Sequence, residues 1–207
     1  MHKLAVFDFD STLMDGETID FLAKPLGLEE QVAAITERAM AGELDFFKSL
    51  VARVALLEGL EKAKVDAICG NLPLMPGAEK VVAGLKERDY TVVCFSGGFR
   101  NATKPACEYL GVDADFSNFL HDENGILTGR VGGEMMYSDA KGDMIVRMQK
   151  LLGVNRKNTL VVGDGANDLS MFAHADTRVA FCAKTVLREA ATHCVDVKDL
   201  TEILKIF

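Results

Sequence analysis

Apolar residues gather into three short runs, at residues 4–7, 91–95 and 159–162, and a fourth at 178–181. Runs of this length, bounded at once by polar and glycine residues, read as buried strands. The first three end in Asp8-Phe9-Asp10-Ser11-Thr12, in Ser96-Gly97-Gly98, and in Gly163-Asp164-Gly165-Ala166-Asn167-Asp168. Between the runs, apolar positions recur at helical spacing over 77–88, 100–110 and 140–152. Strands alternating with helices predict an α/β fold: a three-layer, Rossmann-like parallel sheet with helices on both faces. Ligands of such sheets bind beyond the carboxyl ends of the strands. Three strand ends carrying Asp, Ser and Asp therefore converge on one expected site.

Residues 14–71 break this rhythm. They contain no strand-like run but four helical patterns, at 18–26, 29–41, 45–57 and 61–69, with Gly42 and Gly59 as stops. Pro73, Pro76 and Gly77 mark the return to the alternating pattern. The division expected is a core of residues 1–13 and 72–207 and a helical-bundle cap of 14–71. Inserted after the first strand, the cap would sit over the strand ends, where it could serve as a lid. A hairpin-like excursion is expected at 116–131, turning at Asn124-Gly125.

Composition narrows the classes. The chain has 207 residues, 49% of them hydrophobic, enough for a buried core and against disorder. A net charge of −8 argues against nucleic-acid binding, which needs an excess of Lys and Arg. Five cysteines without a CxxC pair, two of them (Cys94 and Cys182) in apolar runs, read as buried, reduced thiols. The apolar start 4–7 is too short for a signal peptide or a membrane span, so a soluble cytoplasmic protein is expected.

The polar residues supply the chemistry. In an extended segment Asp8 and Asp10 would share a face, and paired carboxylates repel unless a proton or cation compensates them. That suits a nucleophile, an acid/base and a hard metal ion, although Asp and Thr also simply cap helices. Asp164 and Asp168 admit the same two readings. Ser96-Gly97-Gly98 reads as a strand-to-helix turn whose N–H groups could take phosphate oxygens, or as an ordinary loop. Lys141 is either a solvated lysine or a fixed cation. Arg53 lies on an otherwise apolar helical stripe with Phe46, Leu50 and Leu57, and no acid stands three or four residues away. Its guanidinium either snorkels to water or awaits an anion.

In combination and in order, these motifs resemble the haloacid dehalogenase superfamily. The resemblance runs through Asp8-Phe9-Asp10-Ser11-Thr12-Leu13 with Glu17, Arg53, Pro76-Gly77, Ser96-Gly97-Gly98-Phe99 and Ala140-Lys141-Gly142. It continues through residues 163–172 and Phe181-Cys182-Ala183-Lys184. It is strongest, over nearly the whole chain, to the branch acting on L-phosphoserine, whose longer members carry a regulatory extension absent here. It implies Asp8 as nucleophile, forming a phospho-aspartate, and Asp10 as general acid and base. It implies Mg2+ on Asp8, the Asp10 backbone carbonyl and Asp164. Phosphate would lie on Ser96, Gly97, Lys141 and Asn167, with Asp168 orienting Lys141 or a metal-bound water. Glu17 would meet the substrate ammonium, Arg53 its carboxylate, and Met40 and Phe46 would form an apolar wall. The implied reaction closes serine biosynthesis, in a monomer or homodimer with a small-molecule substrate and neither nucleic acid nor membrane as partner. The alternatives are a phosphatase or phosphotransferase on another small amino-acid or amino-alcohol phosphate, such as phosphohomoserine, and a non-enzymatic phospho-receiver domain. Receivers share an Asp, a hydroxyl and a Lys but lack the inserted helices and the second carboxylate.

Overall fold

The computed structural model of the protein describes residues 2–40 and 42–207, the Met40 side chain excepted. Seven strands form one sheet: β1 (Lys3–Phe7), β2 (Tyr90–Phe99), β3 (Ala114–Glu123), β4 (Ile126–Gly133), β5 (Thr159–Gly163), β6 (Thr177–Phe181) and β7 (His193–Val195). Their order is β4-β3-β2-β1-β5-β6-β7, all parallel except the antiparallel edge strand β4. The order reverses at β1, between β2 and β5, which is where such sheets open a crevice for ligands. Phe7 pairs with Cys94 on one side and Val162 on the other, so the three strands reach the crevice level with one another.

The strands alternate their apolar residues between two cores, as a period of two demands. Ala5, Phe7, Val92, Cys94, Leu160 and Val162 fill one side and Leu4, Val6, Val93, Phe95 and Val161 the other. Helices α5 (Ala78–Lys86) and α6 (Arg100–Leu110) belong to the first side, with the C-terminal 3-10 segment Leu200–Ile206. Helices α7 (Ala140–Leu152) and α8 (Leu169–Phe172) cover the second, and a short α9 (Thr185–Ala190) follows β6.

Between β1 and β2 come α1 (Thr18–Ala23), α2 (Glu29–Met40), α3 (Phe46–Ala55) and α4 (Lys62–Cys69). Ala41, the expected end of the second of these helices, lies outside the described residues. Leu22, Val54, Leu57 and Val65 continue the first core without a break. Gly42 (φ 79°) and Gly59 (φ 86°) take the left-handed conformation that lets the chain leave α2 and the α3 turn. Where the chain leaves and re-enters the sheet region, Asp15 N–H donates to the Pro73 carbonyl (2.8 Å) and Met75 N–H to that of Leu13 (2.9 Å). On the far side, Gly59 N–H donates to the Leu127 carbonyl (2.9 Å), Leu127 N–H to that of Leu60 (2.8 Å) and Lys62 N–H to that of Gly125 (2.8 Å).

Three expectations change. Ser96-Gly97-Gly98 is not a turn: β2 runs through it to Phe99, because β3 resumes pairing beyond an irregularity, with Phe99 opposite Asn118. The hairpin is longer than 116–131, and its first strand also joins the parallel sheet; Asn124 (φ 52°) and Gly125 (φ 80°) make the expected turn. Cys69, Cys94 and Cys107 are buried free thiols, but Cys182 and Cys194 are exposed, since β6 ends at Phe181 and β7 is an edge strand.

Candidate active site

Asp8 ends β1. After it the chain does not stay extended: Phe9–Leu13 form a wide turn, with Ser11 at φ 57°. The turn, rather than the strand pleat, brings Asp8 and Asp10 to the same cavity. Asp10 Oδ1 accepts from Thr18 N–H (2.9 Å) and Thr18 Oγ1 (2.5 Å), which fixes the carboxyl against the start of α1. One residue earlier, Glu17 Oε1 accepts from Ser11 Oγ at 2.7 Å.

Lys141, the second residue of α7, is buried, and its Nζ lies 2.6 Å from Asp8 Oδ1 and 2.6 Å from Asp168 Oδ1. Asp168 Oδ2 accepts from Asp164 N–H (3.0 Å) and Gly165 N–H (3.1 Å), so that carboxylate ties the loop after β5 to α7. Asp8 Oδ1 also takes Phe9 N–H at 2.7 Å, whereas Oδ2 has one long contact from Asn167 Nδ2 at 3.4 Å. Ser96 Oγ accepts from Gly98 N–H at 2.9 Å, and Asn118 Nδ2 holds the Gly97 carbonyl at 3.1 Å. Gly97 and Gly98 are close-approach positions. A Cβ on Gly97 would stand 2.8 Å from the Phe46 ring, and one on Gly98 2.7 Å from Asp10 Oδ2.

The field here is strongly acidic. Burial, then Glu17, pushes the Asp10 carboxyl up to about 7. Burial, then Asp8, raises Asp168 to about 7 and Asp164 to about 8. Burial alone would lower Lys141, but the Asp168 and Asp8 carboxylates outweigh it and hold the ammonium above its usual range. Carboxylate oxygens of Asp8, Asp164 and Asp168 come within 4.8 Å of one another, a candidate metal group. Both Asp168 oxygens are already engaged, by Lys141 and by two N–H groups, so Asp8 and Asp164 are the free edges. Their mutual repulsion is what a cation would relieve, and an all-oxygen donor set fits a hard divalent ion.

A cavity of about 290 Å³ opens over these groups, and Glu17, Phe46 and Arg53 line its far wall. Arg53 Nε donates to the Ser49 carbonyl at 3.3 Å, and among the described residues its guanidinium forms no ion pair. Burial lowers it, while Glu17, Asp10 and Asp20 raise it in turn. Between snorkelling and waiting for an anion, this half-buried guanidinium facing the cavity favours the second. The structure thus brings together Asp8, Asp10, Glu17, Phe46, Arg53, Gly97, Asp164 and Asn167 around one cavity, with Ser96, Lys141 and Asp168 buried behind it. The Met40 side chain lies outside the described residues. Sequence reasoning missed the roles of Ser11, Thr18 and Asn118 as holders of this set, and Asp20 and Lys184 in the lining.

A family model described as haloacid dehalogenase-like hydrolase matches residues 2–176. A phosphoserine phosphatase of Wolinella succinogenes is 60% identical over 202 residues, 98% of each chain. That of Methanocaldococcus jannaschii is 46% identical over 203 residues, 98% of this chain and 96% of its own. A solved phospho-aspartyl intermediate analogue of phosphoserine phosphatase shares the fold at a TM-score of 0.94 and 46% identity, covering 100% and 99% of the two chains. A substrate-bound phosphoserine phosphatase complex matches with a TM-score of 0.94 at 45% identity over the same shares. The chain belongs to the haloacid dehalogenase-like hydrolases. Within that class its full-length relatives place it in the phosphoserine phosphatase family.

Proposed function

We propose that this chain hydrolyses O-phospho-L-serine to L-serine and phosphate, the closing step of serine biosynthesis, in the cytoplasm. The observation that carries the reading is the pairing of Asp8, held by Lys141 at the crevice, with Arg53 and Glu17 across the cavity, charges complementary to both ends of an amino acid. Residues 14–71 act as the cap that presents them, over a core of 1–13 and 72–207.

Asp8 attacks phosphorus in line as the P–O bond to serine breaks, giving an acyl phosphate that water then cleaves readily. The serine oxygen needs a proton as it leaves. Asp10 supplies it: Thr18 occupies Oδ1 with two donors, so the proton sits on Oδ2, the oxygen against Gly98. The carboxylate so formed takes a proton from the attacking water, and Asp8 is restored. Ser96, Gly97, Lys141 and Asn167 hold the phosphate oxygens, and Asp168 orients Lys141. Mg2+ held by Asp8, the Asp10 carbonyl and Asp164 would neutralise charge on the phosphoryl group. Arg53 clamps the substrate carboxylate, Glu17 the ammonium, and Phe46 with Met40 closes the apolar side.

The test is phosphate release from L-phosphoserine, O-phosphothreonine, phosphoethanolamine and p-nitrophenyl phosphate, by the native chain and by Arg53→Ala. Native enzyme should prefer phosphoserine. Removing one side of a charged clamp should lower kcat/KM for phosphoserine by about 100-fold, from about 3 kcal/mol, and spare p-nitrophenyl phosphate. Equal losses on both substrates would dismiss the clamp.

A further inference from the structure

We propose that Lys184 captures the incoming phosphate dianion at the core side of the cavity mouth, a binding role additional to the buried phosphate clamp. The inference rests on reading the cavity as a phosphate-ester site, but not on which alcohol the ester carries. The lining bears five carboxylates, Asp8, Asp10, Glu17, Asp20 and Asp164, and among the described residues two cations, Arg53 and Lys184. A phosphate monoester is itself a dianion, so it enters against this field. Lys141 is absent from the lining, and its ammonium is engaged by Asp8 and Asp168. Arg53 belongs to α3, on the opposite wall. Lys184 is left as the cation on the wall that carries Asp8 and Asp164.

The backbone is arranged to put it there. Beyond β6 the chain turns at Cys182, a non-glycine residue at φ 45°, a conformation that costs energy and persists only where neighbours impose it. Cys182 N–H donates to the Val195 carbonyl (2.8 Å) and Lys184 N–H to the Asp164 carbonyl (2.9 Å). The second bond seats Lys184 directly on the loop that follows β5. Its charge reaches both Glu17 and Asp164, drawing each carboxyl downward against their burial. Yet among the described residues the ammonium closes no ion pair, which leaves it open to an anion.

The variants are Lys184→Gln and Lys184→Arg. Three readouts follow: kcat/KM for L-phosphoserine and p-nitrophenyl phosphate at low and high salt, the inhibition constant of inorganic phosphate, and the melting-temperature rise given by Mg2+ alone. The Gln variant should lose about tenfold in kcat/KM on both esters alike and weaken phosphate inhibition by about the same factor, as for one hydrogen bond to a charged group. The gap between it and the native enzyme should narrow at high salt, where the charge of Lys184 is screened. Its Mg2+ response should hold or increase, because a cation beside Asp164 is gone. The Arg variant should recover most of the loss. Unchanged phosphate inhibition, or a joint loss of phosphate and Mg2+ responses, would show Lys184 to be a structural prop and overturn the proposal. A missing preference for phosphoserine, with the phosphate effect intact, would instead fault the substrate reading and leave Lys184 standing.

Discussion

Asp10 shows how much one residue's surroundings decide. Half-buried beside Glu17, its carboxyl is pushed up to about 7, so below that pH it is neutral and able to donate, and above it the proton is lost. With L-phosphoserine, kcat/KM should therefore fall as pH rises through about 7. With p-nitrophenyl phosphate the fall should be muted, because a nitrophenolate leaves without a proton. Matching alkaline limbs for the two substrates in a pH–rate comparison would remove Asp10 from the acid role. Asp8, Asp10 and Asp164 were legible in the chain because each lies within three residues of the end of an apolar run. Lys141, far along the chain, was legible only through the order of motifs. Thr18, which fixes Asp10, reads in sequence as an ordinary helix start, and Lys184 only as the end of a matching stretch with no role attached. Their meaning lies in which atoms fold against them, and no local pattern encodes that.

At the level of elements, glycines decide how closely loops and strands approach. A Cβ on Gly163, the last residue of β5, would fall 2.2 Å from Asp168 Oδ2. Asp168 cannot swing away, since Lys141 and two backbone N–H groups hold it. Gly163→Ala should thus cost about 1–3 kcal/mol of stability through overpacking, lowering Tm by about 2–4 °C per kcal/mol. It should also lower kcat, because Lys141 loses its support. A native Tm and native kcat would refute this account. Elements with clear stops were the ones read correctly from sequence: α6 and α7 end at Gly111 (φ 72°) and Gly153 (φ 64°), where the left-handed turn ends the helix. The end of β2 was misread because Ser96-Gly97-Gly98 lacks an apolar pattern, and only pairing with β3 makes it a strand. Strand β7, three residues long, is too short to leave a periodic signal.

For the molecule as a whole, the buried acids set a link between metal, pH and stability. Asp10 and Asp164 hold protons in the fold to about 7 and about 8, while in the unfolded chain they release them near 3.8. Between those values the folded state binds more protons than the unfolded one, so metal-free stability falls as pH rises from about 4 to about 8. A divalent cation on Asp8 and Asp164 would replace the Asp164 proton and leave that of Asp10 in place. At about 100 times its Kd, Mg2+ should add about 2.7 kcal/mol, or roughly 5–11 °C in Tm. Melting at pH 6 and pH 8 with and without Mg2+ checks this: the increment should be larger at pH 8, and equal increments would contradict the carboxylate account. The inserted helices are fastened to the rest along two lines, one at Asp15 and Met75 and the other where Gly59 and Lys62 meet the β3–β4 hairpin. A body pinned along two separate lines cannot lift away; it can only pivot about the axis joining them, or bend at whatever part is unpinned. Helix α2 packs chiefly on α1 and α3, and is that part. Any opening over the site should therefore be a local movement of α2 against α1 and α3, not a swing of the whole insert.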